Sequence, residues 1–136
     1  MTRARTRDER GAASAFIVGM TITMLVVAGL VVDGGGALNA KSTIADDVEA
    51  AAVAGAQATD ELHYRQHDEL VVNPAEAEAR AREVLASRGY TDIRVYATET
   101  TVTVSARDTV ATKMLLLIGF NEFDIDATAT AEAGVL

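Results

Sequence analysis

The sequence predicts a membrane-anchored α+β protein. An N-terminal transmembrane helix leads into a helical stem. A small head then carries one helix, a three-stranded antiparallel sheet and a short crossover helix. Three observations predict this. Ala12 to Val32 is an uncharged apolar run of 21 residues, and a helix needs about 20 to cross a bilayer core. From Ala37 to Thr59 apolar residues recur at three-to-four spacing, the period of a helix face. Beyond Tyr90 the pattern changes to alternation by two, the period of half-buried strands.

Residues 1–11 form a basic arm. Arg3, Arg5, Arg7 and Arg10 against Asp8 and Glu9 leave it at +2, so the rest of the chain carries −10 of the total of −8. The positive-inside rule therefore puts the arm in the cytoplasm and the acidic domain outside, on a protein of the cell membrane. Residues 12–32 are the transmembrane helix. A cleavable signal peptide has a shorter apolar core that ends at a small-x-small site. Here the run ends in Val31-Val32-Asp33-Gly34, and a retained span is expected.

Residues 33–62 form the stem. It opens with Gly34-Gly35-Gly36, and glycine weakens a helix by about 1 kcal/mol per residue, so a bent or flexible joint is expected there. Beyond it Ala45, Val48, Ala52 and Ala56 fall on one face and are mostly small. Such a face lets a partner backbone approach closely.

Residues 63–136 form the head. Asn73-Pro74-Ala75-Glu76 has the form of a capping box with proline at the first helical position. A helix should run from Pro74 to Ser87, with Gly89 as its left-handed stop. Ile93, Val95 and Ala97 alternate with polar residues, as do Val102, Val104 and Ala106, with a break at Glu99-Thr100 that reads as a hairpin. Val110 to Ile118 reads as a short buried helix crossing over the sheet. Phe123, Ile125, Ala127, Ala129 and Ala131 form a third alternating strand. The crossover makes the third strand antiparallel only beside the first, in the order 2-1-3. Met114 to Phe120 is then the apolar cover of the sheet.

The chemistry-bearing residues are few. The chain has no cysteine, which removes disulfides and thiolate chemistry. His63 and His67 are four apart, with Asp60 and Asp68 nearby, but Tyr64 stands where a zinc protease helix needs glutamate. They read as a solvated helix end. Asp46-Asp47 and Asp124/Asp126 lack the looped oxygen spacing of a calcium hand and read as surface. No catalytic grouping, metal site or cofactor site is expected, and the chain is not expected to be an enzyme. The acidic head has no basic stripe to meet phosphates, so nucleic acid is excluded as a partner. Ten arginines against two lysines, with abundant alanine, suit a GC-rich bacterial source.

The front of the chain carries a resemblance. Arg10-Gly11-Ala12-Ala13-Ser14-Ala15-Phe16, an apolar run, and then Gly29-Leu30-Val31-Val32-Asp33-Gly34-Gly35 are similar to the N-terminal segment of TadE/TadG-like proteins of tight-adherence (Flp-type) pili. The likeness is to the short actinobacterial TadG-like branch and covers Arg7 to Ala58. The tail, with Leu-Leu-Leu-Ile-Gly before an Ala/Thr strand, also resembles those relatives. The resemblance implies a minor-pilin-like or pseudopilin-like component of a Tad/Flp-type pilus or related secretion system. Its partners would be membrane lipid and other Tad-type subunits, met through the membrane helix and stem. It implies prepilin-peptidase processing between Gly11 and Ala12, and a membrane-edge motif of Gly29, Leu30, Asp33 and Gly34. The fifth residue after the cut would be Phe16, where pilins carry glutamate. Without the resemblance, the residues also suit a membrane-tethered extracytoplasmic binding or sensor module with no filament role.

Overall fold

The computed structural model describes residues 5–67 and 70–134; Arg3 of the basic arm and Asp68 lie outside them. Helix α1 runs Arg5–Ala56, α2 Glu61–His67 and α3 Pro74–Ser87. Strands β1 Asp92–Ala97 and β2 Thr101–Ala111 follow, then a 3-10 turn Leu115–Ile118 and β3 Glu122–Glu132.

Helix α1 continues for 52 residues through Gly34, Gly35 and Gly36 without a break. A glycine ends a helix by turning left-handed, and these three keep helical backbone. Among the described glycines, positive φ occurs at Gly89, Gly119 and Gly134. From Gly11 to Ala28 every residue of α1 is exposed, and the helix is long and apolar enough to span a membrane. Thr21 and Thr23 donate their hydroxyls back to the carbonyls of Ile17 and Gly19, at 2.8 and 2.9 Å. That satisfies both hydroxyls within the helix, as an apolar surrounding requires.

The chain divides into two compact units. One holds α1 up to Gly36 together with Ala111–Asn121. The other holds Ala37–Val110 and the chain from Glu122 onward, and it contains the main hydrophobic core. Here Ile44, Val48, Ala51, Ala52 and Ala56 of α1 are buried with Ala77, Ala81 and Leu85 of α3, against Val102, Val104, Ala106 and Ile125 of the sheet. The helices form one layer and the sheet the other. Gly55 lies at a close approach of the layers. A Cβ there would come within 2.9 Å of Val102 Cγ1 and 3.1 Å of the Ala77 carbonyl oxygen.

Helix α3 follows its sequence signals. Asn73 Oδ1 accepts from the Glu76 amide at 3.3 Å, Pro74 opens the helix, and Gly89 follows it at φ 95°. The sheet is antiparallel, but its order is β1-β2-β3. Ile93 pairs with Ala106, Val95 with Val104 and Ala97 with Val102. Hydroxyl bonds of 2.9 Å join Thr103 to Thr130 and Ser105 to Thr128, fixing β3 antiparallel beside β2. This corrects the expected 2-1-3 order. Residues 110–118 do not cross over the sheet. The strands run on to Ala111 and from Glu122, closing a hairpin in which the Thr112 amide donates to the Asn121 carbonyl at 2.9 Å.

The expected role of Met114 to Phe120 is corrected with it. Of these residues only Leu115 is buried, while Met114, Leu116, Leu117, Ile118 and Phe120 are exposed. The sheet is covered instead by α1 and α3.

Candidate functional site

Residues one helical turn apart share a helix face, and Gly29 and Asp33 of α1 are four apart. On that face α1 holds the hairpin end 111–121. Asp33 is buried, with 6% of its surface exposed. Its Oδ1 accepts the amide of Lys113 at 3.0 Å, and its Oδ2 accepts the amides of Met114 and Leu115 at 2.8 and 2.7 Å. These are amides at the start of the 3-10 turn, which have no partner inside the turn. A carboxylate is acceptor-only when ionised, and hydrogen bonds to a charged acceptor are the strong ones.

Gly29 makes the approach feasible. A Cβ on it would sit 3.2 Å from Met114 Cβ and 3.5 Å from Leu115 Cδ2. The turn is closed at its far side by Gly119 at φ 91° and by Phe120 donating its amide to the Leu115 carbonyl at 3.1 Å. Thr112, also buried, donates its hydroxyl to the Phe120 carbonyl. The site therefore contains a fixed carboxylate and a locked turn, and its action is mechanical: it holds an apolar loop against the helix.

Of the residues expected at the membrane edge, the fold brings Gly29 and Asp33 together and leaves Leu30 exposed; Gly34 has open space beside it. Gly11 and Ala12 are exposed on α1. The expected stem face divides differently from its sequence reading. Val48, Ala52 and Ala56 are buried in the chain's own core, and Ala45 is exposed outside it. Their smallness serves close packing with α3 and the sheet, so the face is not open to a partner.

His63 and His67 stack with ring centroids 4.5 Å apart on α2. No group of three metal-ligating side chains occurs among the described residues. A cleft of about 540 Å³ lies beside edge strand β3, lined by Ala52, Val53, Ala56, Leu70 and Ala131 with Glu49 and Glu132 among its polar residues.

Sequence reasoning missed one polar cluster. Asp47 pairs with Arg88 and accepts the Tyr90 hydroxyl at 2.8 Å. Burial, and then the bond and charge of Asp47, push the Tyr90 phenol up to about 12. The only signal was Asp47 itself, four residues past Thr43 on the helix that supplies the core. Nothing local points from it to residues some forty positions on.

Comparison with protein-family models, curated proteins and solved structures gives no match.

Proposed function

We propose that this chain is a membrane-anchored structural or assembly component, minor-pilin-like or pseudopilin-like, of a Tad/Flp-type pilus or a related secretion system. One observation supports the reading most. A single helix is apolar and exposed from Gly11 to Ala28, and further along it supplies the core beneath an antiparallel sheet. A membrane segment continued by helix into a small head suits a subunit stored in a bilayer and passed to an assembly. The arginine arm then lies in the cytoplasm and the head outside. Processing falls between Gly11 and Ala12, both exposed on α1.

Since Val48, Ala52 and Ala56 are occupied by the chain's own core, contact with other subunits falls to the exposed surface from Phe16 to Val32. Small-residue positions there, Gly19 and Ala28, permit close helix approach. A photo-cross-linker at Ile22 in cells that express a Tad-type system should capture its subunits. N-terminal sequencing of the native protein should begin at Ala12. Loss of both, with pili assembled normally in a deletion strain, would reject the role.

The cleft beside β3 favours a second reading, a membrane-tethered extracytoplasmic binding or sensor module. That reading expects a deletion strain with intact pili and a ligand-dependent change at Leu70 or Val53.

A further inference from the structure

We infer that the hairpin end Met114–Phe120 is a second membrane-contacting element, seated in the leaflet through which α1 leaves the bilayer. The inference rests on α1 being a membrane span, but not on any pilus role.

The loop is built to show its apolar side chains outward. Leu116, Leu117, Ile118 and Phe120 are each more than half exposed, and Leu117 is 86% exposed. No charge occurs between Met114 and Phe120. A cluster of four such neighbours is the kind of patch that marks an interaction surface. A polar neck bounds it: Thr112 and Asn121 are joined by a backbone hydrogen bond, and Lys113 and Glu122 are exposed on either side.

The occupant follows from where the loop is fixed. The run Ala12–Val32 holds 21 residues, which at about 1.5 Å each is roughly the thickness of a hydrocarbon core. Gly29 lies in its last turn and Asp33 is the first residue beyond it. The clamp therefore holds the loop at the level where the helix crosses from hydrocarbon to headgroups. There the exposed leucines, Ile118 and Phe120 meet acyl chains. Lys113 at the loop's base can extend its ammonium toward the phosphates. The three amides that would be costly in that layer are already taken by Asp33. Continuity with the apolar face of α1 thus selects lipid over a protein partner.

The chain has no tryptophan, so an introduced one is a sole reporter. The full chain is reconstituted in phosphatidylcholine vesicles with acyl chains brominated near the headgroup or near the methyl end. Three variants are compared: Leu117→Trp in the loop, Ile22→Trp in the span, and Tyr96→Trp on the exposed face of β1. The expected result is blue-shifted emission from the Leu117 variant, quenched at least twofold by the shallow bromines. The Ile22 variant should be quenched most by the deep bromines, and the Tyr96 variant by neither. Unquenched Leu117→Trp beside quenched Ile22→Trp would overturn the loop insertion while leaving the span intact. Blue-shifted but unquenched emission that depends on protein concentration would also overturn it, in favour of a second copy. No quenching at Ile22 would remove the span itself and the inference with it.

Discussion

Replacing Asp33 tests whether the carboxylate is what holds the loop. Its two oxygens carry unequal loads: Oδ1 accepts one amide and Oδ2 accepts two. Asparagine has a single acceptor oxygen. Turned to retain Met114 and Leu115, it presents its own NH₂ to the Lys113 amide. One bond is lost and two are weakened by loss of charge. A hydrogen bond to a charged acceptor is worth roughly ten- to a hundredfold in an equilibrium. Asp33→Asn should therefore speed hydrogen exchange at the Lys113 amide by about that factor, with smaller gains at Met114 and Leu115. Asp33→Ala removes all three acceptors and should bring all three amides to the rate of an open loop. The assay is amide exchange on the full chain in detergent micelles, read against the α3 amides, which should not change. If Met114 and Leu115 exchange as slowly in Asp33→Ala as in the parent chain, the clamp does not hold the loop and the reasoning fails.

Three further outcomes follow from the geometry. Gly55→Ala gains about 1 kcal/mol of helix propensity, but its Cβ would meet Val102 and the Ala77 carbonyl. Overpacking costs about 1–3 kcal/mol, so the denaturation midpoint should fall, and a rise would show that the layers can part. Tyr90 holds its proton up to about 12 in the folded chain, against about 10 unfolded. Its contribution is thus intact below pH 10 and lost as pH rises from 10 toward 12. Denaturation midpoints at the two ends of that range should show the loss, and Tyr90→Phe should abolish that part of it. Leu116→Asp places its charge on an exposed side chain, so unfolding of the unit built on Ile44, Leu85 and Val104 should be unchanged. A large fall in its melting temperature would restore the loop as a cover for the sheet.

The legible parts of this fold were those written in local period. The apolar run of α1, the Asn73-Pro74 cap and the alternating strands each carry their signal within a few residues. The continuity of α1 was not legible, because the cost of Gly34–Gly36 is local while the burial of Ile44 and Val48 lies further along. Strand order failed for a different reason. It depended on whether Met114–Phe120 covers the sheet, and an apolar stretch without a period looks the same whether it meets a core or lipid. Of the site, Gly29 and Asp33 were named only with Leu30 and Gly34, in the membrane-edge motif that the resemblance implies. Their partners were not, since amides are present at every residue and carry no sequence signature.

The span of chain that the clamp closes has a consequence for biosynthesis. Asp33 binds amides 80 to 82 residues further on. At roughly 5–20 residues per second, the ribosome needs several seconds to make them after Asp33 has appeared. If α1 spans the bilayer as proposed, the carboxylate stands through that interval at the membrane edge, with only water and headgroups to solvate it. It then acts as a brake, resisting deeper entry of the helix until the hairpin arrives. A nascent chain stopped at Asp108 should therefore insert to the same depth as the complete one, whereas one that also carries Asp33→Leu should slide inward. Depth measured by glycosylation mapping on stalled chains distinguishes the two, and equal depth in both would show that the aspartate sets no limit.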